Sequence, residues 1–216
     1  MNYSSKMGLL AGTAIAASLL AACATTPPKL EAYKAMPIGS TWTYSQHNSG
    51  SYAAQWGATE LQLQITKGER AWGGRQVNTY SSSQGIILAE PESGRWIAMI
   101  GPGDKLLLGY DPPLGYELPL EVGKTWTKSY RLTLATGQIL SSDTSWKVEN
   151  YGDVTVPAGT FQAFKVTCSF STGVEQTTWF SPEVGNFVKV RESRTTGYRA
   201  GPGTTEQELV SFNVKK

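Results

Sequence analysis

Phe164-Lys165-Val166-Thr167-Cys168-Ser169-Phe170 alternates apolar and polar residues without a break. A period of two puts one set of side chains on a buried face and the other in water, which defines a half-buried strand rather than a helix. The same alternation appears elsewhere. Trp42 and Tyr44 alternate with Thr41, Thr43 and Ser45. Leu61, Leu63 and Ile65 alternate with Gln62, Gln64 and Thr66. Tyr130, Leu132 and Leu134 alternate with Arg131 and Thr133, and Val210, Phe212 and Val214 with Ser211 and Asn213. Breakers stand between these runs at Gly73-Gly74, Gly101-Pro102-Gly103, Pro112-Pro113 and Gly201-Pro202-Gly203. No amphipathic helix longer than about two turns is present. The chain therefore reads as all-β and antiparallel, with roughly a dozen strands in a half-open barrel, a curved sheet or a sandwich.

A weak repeat divides these strands. Gly39-Ser40-Thr41-Trp42-Thr43 returns as Gly123-Lys124-Thr125-Trp126-Thr127, and Trp96 returns as Trp179 at nearly the same offset. The strand from Leu61 to Thr66 then matches Trp146 to Asn150. The implied halves are 37–114 and 115–216, meeting at the breaker-rich stretch Tyr110 to Gly115. They form either one sheet or two lobes.

The N-terminus has another character. Lys6 precedes an apolar run from Met7 to Leu20, followed by small residues. Residues 1–22 read as a secretory signal. The run is too short, and too interrupted by Gly8, Gly12, Thr13 and Ser18, for a spanning helix. Leu20-Ala21-Ala22-Cys23 resembles the lipobox of bacterial lipoproteins. That resemblance implies cleavage before Cys23, a diacylglycerol on its sulfur and acylation of the new amino end. Several acyl chains hold a globular body on a membrane where one binds only marginally. Ala24 follows, rather than the Asp that argues for inner-membrane retention in such proteins. The implied location is the outer membrane, on its periplasmic face. Residues 23–36, with Pro27-Pro28, then form a lipidated tether reaching at most about 40 Å.

Without the signal, 18 basic and 17 acidic residues remain, with no run of like charge. This excludes a nucleic-acid footprint. With Cys23 lipidated, Cys168 is the sole remaining thiol and no internal disulfide is available.

Three landmarks occur in order in the second half: Val122-Gly123-Lys124-Thr125-Trp126, Val156-Pro157-Ala158-Gly159-Thr160-Phe161, and Trp179-Phe180-Ser181-Pro182-Glu183-Val184-Gly185. Together they resemble a widespread set of uncharacterised bacterial exported β domains, many of them lipoproteins. The resemblance implies a β fold and carries no activity and no site residues. Physically the landmarks are structural. Pro157 fixes φ and Gly159 admits positive φ in a tight turn, with Phe161 dropping into the core beyond it.

Catalytic chemistry finds little support. The one histidine, His47, stands beside Asn48-Ser49-Gly50, a hairpin-loop context. No Gly-x-Ser-x-Gly elbow is present. Cys168 lies on the apolar side of its strand, where a thiol behaves as a small hydrophobe. One histidine and one thiol make no conventional zinc cage, and Glu90-Pro91-Glu92 reads as a solvated turn. No cofactor or metal is expected. The two Gly-Pro-Gly turns are not phosphate cradles, since proline removes a donor and no helix follows.

Seven Trp and ten Tyr exceed the needs of a core this size, which leaves aromatics for a surface or a cleft. Ile97-Ala98-Met99-Ile100 and Leu106-Leu107-Leu108 do not alternate. They are either covered on both faces or line an apolar pocket. Ile97, Met99, Leu106 and Leu108 are the candidate ligand-binding residues, with Trp126 and Trp179 at a cleft mouth. The expected role is non-catalytic, a binding or assembly component contacting envelope proteins. The alternatives are a carrier of a lipid or other apolar ligand, and a hydrolase of envelope polymers, which needs only two converging carboxylates.

Overall fold

Twelve strands follow one another as an antiparallel meander, and the last pairs with the first, closing the sheet into a barrel. The computed structural model describes residues 28–215, so Cys23 and the signal peptide lie outside the described residues. In chain order the elements are β1 (Thr41–Ser49), α1 (Gly50–Trp56), β2 (Glu60–Trp72), β3 (Arg75–Ser82), β4 (Gly85–Ala89), β5 (Trp96–Ile100), β6 (Leu106–Leu114), β7 (Thr125–Leu134), β8 (Ile139–Val156), β9 (Gly159–Phe170), β10 (Val174–Ser181), β11 (Asn186–Arg194) and β12 (Gly203–Asn213). The halves form one continuous sheet rather than two lobes. Closure pairs both edges and so removes the exposed strand edge that invites aggregation.

The meander sorts the connections onto two ends. Residues 37–40, 90–95, 115–124, 157–158 and 182–185 share one end. Residues 50–59, 83–84, 101–105, 135–138, 171–173 and 195–202 share the other. Because paired residues face the same side, a ring can be traced inward through Asn48, Thr205, Glu192, Gln176, Cys168, Trp146 and Trp126. At the first end the interior is apolar. Trp126 stacks on Trp146 at 5.4 Å, over buried Val148, Phe164 and Val166. A second cluster joins Trp42, Tyr44, Val188 and Leu209 to the tip of the β8–β9 hairpin, where Phe161 is buried as its turn chemistry requires. The polar atoms of its aromatics are satisfied: Trp42 Nε1 donates to the Val184 carbonyl at 3.0 Å and Tyr44 Oη to that of Phe187 at 2.7 Å.

Val77, Leu88, Ala98 and Ile100 form a third cluster, on the face of β3–β5 opposite Tyr80, Ile87 and Met99. Arg70 on β2 reaches Asp104 beyond β5 with two bonds of 2.8 and 2.6 Å. That link crosses β3, β4 and β5, so the sheet curls around this cluster.

The repeat has a structural counterpart at its Gly-x-Thr-Trp motif. Gly39 N bonds the Lys67 carbonyl and Lys67 N returns to Ser40 O. In the same way Gly123 N bonds the Val148 carbonyl and Val148 N returns to Lys124 O. Both glycines hold positive φ, +84° and +89°. Trp96 and Trp179 are not equivalent, because they occupy the fifth strand of one half and the fourth of the other. Lys67 therefore takes the place that Val148 fills. Its ammonium is buried, donating to Gly68 O at 2.7 Å and Asn78 Oδ1 at 2.8 Å, and burial pushes its pKa down.

Two expectations change. His47 stands within β1, on its outer face, and not in a hairpin loop. Pro112-Pro113 lies inside β6, beyond Asp111, where pairing with β7 has ended and no donor is required of proline.

Candidate functional site

The two ends of the barrel are built differently. At the first end the described part of the tether lies along the barrel. Leu30 and Leu120 exchange two backbone bonds of 3.0 Å, and Lys29 pairs with Glu121. Leu30, Tyr33 and Met36 turn inward at every third residue while their neighbours are exposed. Tyr33 Oη meets Tyr80 Oη at 2.6 Å. Glycine is required at both seats. A Cβ on Gly94 would strike the Tyr33 ring, and one on Gly185 would strike Met36 Sδ. Residues 28–36 thus form a strap from the β7 side of the opening to β1.

Beneath the strap, the β6–β7 connection enters the barrel. Tyr116 packs edge-on against Trp146, Phe180 and Phe187 at 6.0–6.3 Å, and its hydroxyl meets Thr178 Oγ1. Burial drives its pKa up, so the phenol stays neutral. Leu120 is fully buried beside it. At this end the apolar interior is occupied by the chain itself.

At the far end the interior is polar along β1, β12 and β11, while Ile87, Met99, Leu108 and Leu134 face inward along β4 to β7. Gln46 accepts from Gln84 at 3.1 Å and Gln207 at 2.8 Å, and donates to Asn48, which also accepts from Thr205. This amide network joins β1, β12 and the β3–β4 turn. Above it sits α1. Its Tyr52 donates to Glu192, which also accepts from Gln176 Nε2 at 2.8 Å. The Arg194 guanidinium stacks between Tyr52 at 3.7 Å and Tyr198 at 4.6 Å, and bonds Ser51 and Gln55 of α1. Arg194 and Glu192 together latch α1 and the 195–202 loop over this opening.

Burial pushes the Glu192 carboxyl up to about 7, against the pull of Arg194. A carboxyl whose folded pKa exceeds its unfolded value binds more protons folded than unfolded in the interval between. Its contribution to stability therefore falls as pH rises through that interval. The expected cost is about 3 kcal/mol well above pH 7. Glu192→Gln should remove it. Between pH 4.5 and 7 the wild type should lose about 5 °C or more of melting temperature relative to the variant. Parallel melting curves for the two proteins across that range would show that Glu192 is not the titrating group.

The sequence-derived candidates scatter. Met99 pairs with Leu108 on one face, while Ile97 and Leu106 pack on the Val77–Ile100 cluster of the other. Trp126 is buried in its stack with Trp146. Trp179 lies on the outer face between Lys165 and Lys189, each ammonium 5.9 Å from its ring. Cys168 is buried, and burial pushes its thiol up, which keeps it protonated and poorly nucleophilic. Burial also pushes Glu90 up, but Ser93 and Arg95 outweigh it and hold that carboxyl below its ordinary value.

A shallow groove of about 680 Å³ crosses the outer faces of β2, β1, β12 and β11. It holds His47, whose Nδ1 is 3.7 Å from Glu60, and also Glu206 and Glu208. Both of those glutamates are bound by Lys189, at 2.9 and 2.7 Å. Among the described residues no group of three or more His, Cys, Asp or Glu is placed to hold a metal.

Sequence reasoning missed the strap, the Tyr116 plug and the Glu192 latch. Only the strap leaves a readable signal, its period of three.

No protein-family model matches the chain, and no curated protein does. Solved structures similar to it include the following three. One is the hypothetical lipoprotein YmcC of Escherichia coli K12, at 12% identity and a TM-score of 0.45, covering 82% of this chain and 85% of that one. Another is a lipoprotein candidate from Parabacteroides distasonis, at 12% and 0.42, covering 82% and 96%. The third is an exported protein with a YmcC-like fold from Bacteroides fragilis, at 12% and 0.46, covering 85% and 99%.

Proposed function

We propose that the protein is a lipid-anchored, non-catalytic binding or assembly component of the cell envelope, held on the periplasmic face of the outer membrane through Cys23. The observation that carries this is the filled barrel. Tyr116 and its aromatic neighbours occupy the apolar interior and the strap crosses its opening. A barrel that carries lipid needs that volume for its cargo. A filled one works through its surface.

The end away from the anchor offers such a surface. Ile139 on β8 is 62% exposed and Leu107 on β6 is 36% exposed. Thr133 of β7 pairs with Ile139 on one side and with Gly109 on the other. Ile139 is thus an exposed apolar side chain beside Thr133 on the outer face, of the kind found at protein interfaces. The partner class is an envelope protein.

A photo-crosslinking residue at position 139, introduced into the full chain in cells, tests this. One discrete adduct with an envelope protein is expected, weakened by Thr133→Asp beside it. A chain that stays uncrosslinked while anchored and folded would remove this face as the docking surface.

A further inference from the structure

We infer that Ile38 and Val122 seat the strapped rim of the barrel in the surface of the bilayer that holds Cys23, so that the barrel is oriented on the membrane and does not hang from a loose tether. This rests on the proposed lipid anchor and deepens it.

The strap is fixed from Leu30 to Met36, and Lys29 is paired with Glu121. Only residues 24–27 separate Cys23 from Pro28, the first described residue. Fully extended, five residue steps span at most about 18 Å. The anchored rim therefore lies within that distance of the lipid.

Ile38 and Val122 stand on this rim at the same place of the repeat, each just before the glycine of Gly-x-Thr-Trp. They are 58% and 39% exposed, two of the four exposed large apolar side chains among the described residues. Their strands are six apart around the twelve-stranded sheet, so they stand on opposite sides of the opening. The backbone beneath each is fixed. Ser40 N bonds Pro37 O at 3.2 Å and Gly39 N bonds Lys67 O at 2.8 Å. Lys124 N bonds Glu121 O at 3.1 Å and Gly123 N bonds Val148 O at 2.9 Å. Two apolar side chains held stiffly outward on one rim, near an acylated residue, suit the interfacial layer of a bilayer. The rim's charges are mixed, with Lys29 paired to Glu121 and Glu31 nearby, so apolar contact rather than anionic-lipid attraction sets the orientation.

The test uses the full lipidated chain in phosphatidylethanolamine–phosphatidylglycerol vesicles containing a shallow nitroxide-labelled phosphatidylcholine. Ile38→Cys, Val122→Cys and, at the far end, Ile139→Cys are each labelled with bimane, Cys168 being buried. Nitroxide lipid should lower emission at positions 38 and 122 about twofold or more and leave position 139 unchanged. Labels at 38 and 122 quenched no more than that at 139, on protein whose intact mass carries acyl chains at Cys23, would overturn the rim contact alone. An intact mass without acyl chains would overturn the anchor and the rim contact with it.

Discussion

Cys23→Ser should abolish stable membrane attachment while leaving the barrel folded. A serine offers no thiol for the diacylglycerol, and the cleavage that depends on that modification should stall, so precursor or soluble chain accumulates. Each buried methylene of an acyl chain stabilises membrane association by about 0.8 kcal/mol, which makes the loss of several chains far larger than any change in protein contacts. The two rim side chains cannot replace them. Fractionation and intact mass read the result, which should be loss of the acylated mature form and its replacement by uncleaved precursor or by soluble chain. The strap and barrel lie C-terminal to the change and pack without it, so released, processed protein should melt as the wild type does. A variant that stays with membranes at the wild-type mature mass would show that Cys23 is not the anchor.

Tyr116→Ala should be the most damaging of the interior changes. It removes an aromatic ring in contact with Trp146, Phe180 and Phe187 and strips Thr178 of its hydroxyl partner. Large-to-small changes of this kind cost about 3–5 kcal/mol, because lost transfer energy is compounded by the cavity left behind. For a chain of this size the melting temperature should fall by roughly 10 °C. Tyr116→Phe keeps the ring and loses one hydrogen bond, a cost of about 1 kcal/mol. The pair separates packing from polarity. If the ring plugs the barrel, the alanine variant should also bind a small apolar dye that the wild type and the phenylalanine variant exclude. Equal stability of all three proteins would mean that Tyr116 does not fill the interior.

The strands were legible where one face is apolar. Phe164 to Phe170 and Trp42 to Tyr44 needed only their alternation. The end of β1 was not legible, because Gln46, His47 and Asn48 are polar on both faces. The inward ones are buried in an amide network that binary patterning reads as a loop. The repeat was readable at Gly-x-Thr-Trp, whose glycines need positive φ, and misleading at Trp96 and Trp179, where only residue type was shared. Sites fared worse. Ile97, Met99, Leu106 and Leu108 form one apolar list in sequence, but register shifts between β5 and β6 separate Ile97 and Leu106 from Met99 and Leu108. Tyr116 follows a breaker-rich stretch that predicts a surface connection, and nothing local marks it as a core residue. Glu192 lies on a strand of mixed polarity, and its enclosure depends on α1 and Gln176, both distant in sequence.

Native mass spectrometry of the anchorless body, residues 24–216 secreted to the periplasm and purified without detergent, tests most directly whether the protein works through its surface. A barrel filled by its own Tyr116 and strap should appear at the bare polypeptide mass. A lipid or acyl chain bound at one per protein would contradict a filled interior and make the protein a carrier.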